Sequence, residues 1–99
     1  MVIVVGKILV QSEKLDEALE HALAHVARSR GEDGCIDHTV SIDQENPLVL
    51  RFVEYWRDEA ALKTHFAVPA ANDFVAAIRP LLAGPSELKI FNAEEVPSG

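Results

Sequence analysis

Cysteine is almost absent from this 99-residue chain, and basic residues are too few to balance the acidic ones. The single cysteine, Cys35, excludes an internal disulfide and any metal site built from several cysteines. Nine lysine and arginine residues against sixteen aspartate and glutamate residues give a formal net charge of −7. That charge disfavours nucleic acid and anionic membrane surfaces as partners. Because the chain has a single cysteine and no internal disulfide, we expect a reduced, cytoplasmic setting.

Long apolar runs and nucleotide-binding motifs are also missing. The stretch MVIVVGKILV at 1–10 is too short to span a bilayer, and it lacks the basic region and cleavage site of a signal peptide. No glycine-rich phosphate loop, dinucleotide fingerprint or nucleophile elbow occurs in the chain. If the chain is an enzyme, we expect it to work without a nucleotide cofactor.

The sequence does contain alternating strand and helix patterns. VIVVGKILV (2–10) is rich in β-branched residues and predicts a buried strand, in which Gly6 indicates a bulge or a close approach to the backbone. A helix is predicted to begin at an N-cap, Ser12, and to end before Gly31. Its predicted apolar stripe is Leu15, Leu19, Ala22, Leu23 and Val26.

The second half of the chain begins with two strand patterns joined by a turn. CIDHTVSI (35–42) alternates in polarity, and LVLRFVEYW (48–56) follows the turn DQENP, which together predict a hairpin. Asp58 is predicted to cap a short helix, Pro69 to begin another, and 86–96 to form a last strand. In the hairpin, one strand is predicted to place Ile36, His38, Val40 and Ile42 on one face, and the other Leu50, Phe52, Glu54 and Trp56.

The predicted order is β-α-β-β-α-β, with the second helix broken in two. This order is that of an α+β, ferredoxin-like fold with an antiparallel sheet and its helices on one face. We expect one domain over 1–96 and a loose end at 97–99. A second copy of the chain could cover the other face of the sheet.

Trp56 and His65 flank a predicted strand-to-helix junction, which could bring both side chains to one cleft. There His65 could act as a general base and Trp56 as a flat apolar wall. Alternatively, Trp56 is an ordinary core aromatic and His65 a helix-end histidine. His38 either lines the same cleft or is a hydrogen-bonded core histidine, and Glu54 either orients a histidine or makes a structural ion pair.

His21 and His25 lie four residues apart, a spacing that can chelate a metal ion. No third ligand is evident in the sequence, so we interpret both as residues of a solvated helix face and expect no metal site. Cys35 has an acidic neighbour, Asp37, on its strand face, and we interpret it as a packing residue.

These features together resemble the antibiotic biosynthesis monooxygenase (ABM) domain family. The resemblance depends on Gly34-Cys35 opening a strand, on Glu54-x-Trp56 closing the next, and on several residues of the two helices after that strand: Asp58, Ala61-Leu62, His65-Phe66, Pro69 and Phe74. It extends over nearly the whole chain. Heme-degrading relatives use an asparagine on the first strand, and VIVVGKILV has none.

The resemblance implies a homodimeric α+β barrel and the oxidation of a small phenolic, aromatic or quinol-like substrate by O2 without a cofactor. It implies that His65 and Trp56 are catalytic and that the substrate is bound by His38, Glu54, Phe66 and Phe74. Two other functions stay open: a non-oxidative isomerase of a small carbonyl metabolite, and a non-catalytic module for small-molecule binding or stress response.

Overall fold

The fold is described by a computed structural model of all 99 residues. Its elements are β1 (Val2–Leu9), α1 (Leu15–Ser29), β2 (Cys35–Ile42), β3 (Val49–Trp56), α2 (Glu59–Ala67), α3 (Pro69–Ile78) and β4 (Glu87–Asn92). Short 3₁₀ turns, Ser12–Lys14 and Arg79–Leu81, precede α1 and follow α3. No helix has the length and apolar character that crossing a membrane requires.

The four strands form one antiparallel sheet in the order β2-β3-β1-β4. This arrangement confirms the predicted ferredoxin-like α+β fold, including the division of the second helical segment into α2 and α3. The pairing of β1 with both neighbours runs through Gly6 without a shift in register, so the strand has no bulge there. The absence of a side chain at Gly6 instead leaves open space on the helix-facing side of the sheet.

The helices pack on one face of the sheet and bury two groups of apolar side chains. The larger group joins α1 and α3 to the centre of the sheet, and the smaller joins α2 to one end of β1 and β3. β4 has no helix above it, so Leu88 and Ile90 stay 56% and 49% exposed although they face the helix side. The helix layer is therefore open along β4.

The helix starts agree with the predictions at two places and differ at one. Asp58 caps α2, because its Oδ1 accepts the Ala61 N–H at 2.8 Å, and Pro69 is the first residue of α3. Ser12 was predicted to cap α1, but its hydroxyl donates to Glu13 Oε2 at 3.0 Å. The 3₁₀ turn at Ser12–Lys14 delays the α-helix to Leu15, which places Ser12 too early to cap it.

A β-bulge in β2 changes the predicted faces of that strand. The register with β3 shifts between Cys35 and Asp37, which leaves Ile36 59% exposed and places Cys35 opposite Trp56. The prediction that Ile36 shares the face of His38 is therefore wrong, since strict alternation does not hold across a bulge. Cys35 packs against the smaller core group, and burial raises the pKa of its thiol.

The buried face of α1 also differs from the predicted stripe. Leu23 is 58% exposed, whereas the buried positions are Ala18, Ala22, His25, Val26 and Ser29. His25 shares this buried face with the small residues Ala18, Ala22 and Ser29, and its own side chain faces inward. The interpretation of His25 as part of a solvated face is thus wrong.

Candidate active site

A cavity of about 260 Å³ lies between the helix-facing side of the sheet and α3. Its volume is below the range of roughly 300–1,000 Å³ that is usual for drug-sized ligands. Gly6 and Phe52 form part of its base, and Phe74, Val75 and Ile78 form an apolar wall. Three buried polar side chains that can do chemistry line it: His25, Glu54 and His65. A mostly apolar cavity with a few convergent polar groups is typical of a small-molecule site.

His65 is held at the cavity by a partly buried hydrogen bond with Glu32. Its Nδ1 lies 2.8 Å from Glu32 Oε1, and the imidazole is only 3% exposed. Since an ionised carboxylate can only accept, Nδ1–H donates to it, and a neutral ring then keeps a lone pair on Nε2. This arrangement is the one that a histidine general base requires.

Glu32 has no signal in the sequence that marks it as a site residue. It lies in the turn between α1 and β2, 33 positions before His65 in the chain. Only the packing of that turn against α2 brings the two side chains together. The second oxygen of its carboxylate, Oε2, is buried without a hydrogen-bond partner.

Trp56, Glu54 and His38 form a second buried polar group next to His65. Trp56 Nε1–H donates to Glu54 Oε1 at 2.9 Å, and His38 Nε2 lies 3.4 Å from the same oxygen. Burial acts to raise the pKa of Glu54, but His38 beside it and the hydrogen bond from Trp56 outweigh burial, and the pKa lies below its ordinary value. The carboxylate is therefore ionised near neutral pH and orients the indole.

His25 enters the site from α1. Its ring stacks on Phe74 with centroids 4.1 Å apart and an interplanar angle of 8°, and its Nδ1 lies 2.6 Å from Arg28 Nη2. Burial lowers the pKa of His25 to about 3, with His38 and Arg28 acting in the same direction. The ring is neutral at physiological pH, and Nδ1 accepts from Arg28.

The structure brings together all six residues that were predicted from the sequence to be catalytic or to bind the substrate. Glu54, His65, Phe66 and Phe74 line the cavity. Trp56 and His38 are fully buried just behind it, with the Trp56 ring centroid 4.6 Å from that of His65 and the His38 centroid 5.8 Å from it. Two further residues, His25 and Glu32, complete the group, and neither was predicted from the sequence as a residue of this site.

Comparisons to known proteins agree with this fold and indicate its family. Residues 1–77 match the family described as "Antibiotic biosynthesis monooxygenase". An uncharacterized protein of Synechocystis sp., sll1783, is 35% identical over 94 residues, which are 95% of this chain and 64% of that protein. The chain thus spans a little under two thirds of the length of this relative.

Two further proteins are similar over most of their length. The Bacillus subtilis protein named "Putative monooxygenase YcnE" is 33% identical over 90 residues, covering 89% of this chain and 93% of that protein. A Deinococcus radiodurans crystal structure described as a "putative antibiotic biosynthesis monooxygenase" superposes with a TM-score of 0.94 at 25% identity, covering 99% of this chain and 97% of the other. The chain belongs to the antibiotic biosynthesis monooxygenase family.

Proposed function

We propose that the chain is a monooxygenase that oxidises a small phenolic, aromatic or quinol-like substrate with O2 and needs no cofactor. The observation that supports this most strongly is the imidazole of His65 at an apolar cavity, with Nδ1–H bound to Glu32 and the lone pair of Nε2 free. The small volume of the cavity favours a compact substrate.

In the proposed reaction, His65 Nε2 takes a proton from the substrate, and Glu32 stabilises the imidazolium that forms. The apolar walls replace water around the substrate anion, which is then a strong enough reductant to pass an electron to O2. For an anthrone, one oxygen atom converts a CH2 group to a carbonyl and the other leaves as water, so the substrate supplies all four electrons. We propose that Trp56 orients the substrate through the His65 ring and that Phe66 and Phe74 provide contact area.

We also propose that the functional unit is a homodimer. The sheet face opposite the helices carries Ile3, Val5, Val53, Tyr55 and Phe91, of which Val5 and Phe91 are 38% and 50% exposed. A second sheet packed against this face would remove it from water. Light scattering of the wild-type chain and of Val5→Asp tests this: the wild type should have the mass of two chains, and a monomeric wild type would contradict the dimer.

Oxygen uptake by the purified chain, with a chelator present and a panel of anthrones and hydroquinones, tests the reaction. We expect uptake above autoxidation, reduced by about 10²–10⁴-fold in His65→Ala, which is the range that a general base contributes. His21→Ala is the matched control, because His21 lies on α1 outside this cavity. Circular dichroism establishes that both variants fold.

Assays of anaerobic turnover and of ligand binding distinguish the other functions that fit a buried base. Turnover of a small carbonyl compound that persists without oxygen would favour an isomerase. Binding of a panel compound without any turnover would favour a binding module. Equal uptake in wild type and His65→Ala would contradict the assignment of His65 as the base.

A further inference from the structure

Three buried histidines from three separate elements meet behind and beside the cavity. His25 comes from α1, His38 from β2 and His65 from α2, and they are 6%, 0% and 3% exposed. One ring nitrogen from each lies within 4.8 Å of the others. Buried histidines are individually common, but three whose nitrogens converge form the donor set of a metal centre.

His38 supplies a second, independent observation. Both of its ring nitrogens are buried, and neither has a hydrogen-bond partner. Glu54 Oε1 is 3.4 Å from Nε2, but the alignment is not that of a hydrogen bond. Buried polar groups nearly always have partners, because leaving one without a partner costs free energy. A metal ion is a partner that suits an imidazole nitrogen.

We propose that His25, His38 and His65 bind one divalent transition-metal ion of the Zn²⁺ class through three imidazole nitrogens. Three nitrogens separated by at most 4.8 Å always have a point between them that is within about 2.8 Å of each. Zinc–nitrogen bonds are about 2.0–2.1 Å long, so bringing each nitrogen to that distance from this point takes a movement of at most about 0.7 Å. We expect rotations of the three imidazole rings to supply this movement.

The surroundings favour a cation at two of the three ligands. Glu32 accepts from Nδ1–H of His65, which leaves Nε2 as the nitrogen of His65 that has a lone pair for the ion. Glu54 lies beside His38 and adds a second negative charge. Carboxylates placed behind metal-bound histidines are a recurring feature of metal sites and strengthen binding.

Arg28 opposes the cation at the third ligand. Its Nη2 donates to His25 Nδ1 at 2.6 Å, which places the His25 proton on Nε2. Metal binding through Nε2 requires that proton to move to Nδ1 and Arg28 to turn away. Arg28 is exposed, so it has solvent to turn into. Arg28 therefore acts as a competitor of the ion, and removing it should strengthen binding.

Titration of the chelator-treated chain with Zn²⁺ by calorimetry, and with Co²⁺ by visible absorption, tests the proposal. We expect one ion to bind per chain. The Co²⁺ form should have the visible absorption spectrum of a near-tetrahedral site with a low coordination number. The affinity for Zn²⁺ should fall by more than about 100-fold in His25→Ala and in His38→Ala. Losing only a carboxylate behind a metal-bound histidine already costs about 10–100-fold in affinity. His25→Gln repeats the test with a longer side chain in case His25→Ala does not fold.

His21→Ala and Arg28→Gln make the test specific. His21→Ala should bind Zn²⁺ as the wild type does; a loss there would place the ion on the His21–His25 pair and overturn the proposal. Arg28→Gln should bind about 10-fold more tightly, because the glutamine oxygen can accept from Nδ1–H. Binding that is absent in the wild type, or unchanged in folded His25→Ala, would also overturn it. These readouts need no turnover and are independent of the proposed oxygenation.

Discussion

The hydrogen bond between Trp56 and Glu54 is the contact whose loss should be most visible in stability. The indole is fully buried, and its Nε1–H has Glu54 Oε1 as its partner at 2.9 Å. A hydrogen bond to a charged group contributes about 1.5–3 kcal/mol, and a buried donor left without a partner costs about 1–3 kcal/mol. Glu54→Leu should therefore lower the free energy of unfolding by about 2–3 kcal/mol.

A double-mutant cycle separates this hydrogen bond from simple changes in packing. Trp56→Phe removes the donor, so in the double variant no indole N–H is left unpaired. We expect Glu54→Leu and Trp56→Phe together to cost less than the sum of the two single changes, by about 1–2 kcal/mol. Glu54→Gln should cost less than Glu54→Leu, because the amide oxygen still accepts from the indole.

The assay is urea unfolding followed by circular dichroism, since Trp56→Phe removes the only tryptophan of the chain. Protein concentration is kept constant, because association would otherwise shift the apparent stability. A coupling energy within about 0.5 kcal/mol of zero would refute the reasoning, since independent sites show no more than that. The indole would then owe its position to packing alone.

Three further perturbations have outcomes that the structure fixes. Gly34→Ala should destabilise the fold by roughly 2–4 kcal/mol in urea unfolding, because Gly34 has a φ of +85° and an added Cβ would lie 2.5 Å from the Cβ of Ala61. Gly31→Ala is its control, with no contact shorter than 3.5 Å, and an equal loss there would contradict the argument. Gly6→Leu should place a side chain in the cavity and weaken the binding of a fluorescent apolar probe by about 10-fold or more. Gly6→Ala should keep the fold, because its Cβ would have contacts of 3.5–3.7 Å. Asp58→Asn should reduce the loss of thermal stability between pH 6 and pH 3. The Ala61 N–H lowers the pKa of Asp58 in the folded chain, so the stabilisation by the Asp58 carboxylate is present above the ordinary pKa of 3.8 and is lost as pH falls through the lowered pKa. Asparagine caps the helix without titrating, so the variant lacks this loss. An identical pH dependence in the variant would contradict this account.

The fold could be predicted because its signals are local. Alternation in β3, the Asp58 cap and the Pro69 start each depend on a few neighbouring residues, and all three are as predicted. The errors arise where one extra residue or a tertiary contact changes the pattern. The bulge at Ile36 and the inward turn of His25 are both of this kind.

The site was predictable for His38 on β2, for residues near the end of β3 and for residues on the helices that come after it. Trp56 and His65 are close in sequence, and a strand-to-helix reversal is enough to bring them together. Glu32 reaches His65 across 33 positions, and His25 reaches it from another helix. Neither contact has a sequence spacing that indicates it, because both form only once α1, the turn after it and α2 have packed into the folded chain.

The two proposals for this site share one atom, and this gives them opposite consequences for catalysis. Nε2 of His65 is the proposed base in the cofactor-free reaction and also the proposed metal ligand. A lone pair donated to a metal ion cannot accept a proton, so the metal-bound chain should not turn over a phenol by that route. Glu32 supports both roles through the same hydrogen bond at Nδ1, since it stabilises an imidazolium and also strengthens a metal-bound imidazole. Arg28 affects only one of them: it competes with the ion at His25, and the hydrogen-bond partner of His65 is Glu32 instead. Arg28→Gln should therefore make turnover more sensitive to added Zn²⁺ while leaving turnover in chelator unchanged. Equal sensitivity of the wild type and Arg28→Gln would show that Zn²⁺ inhibits by binding somewhere other than the three histidines.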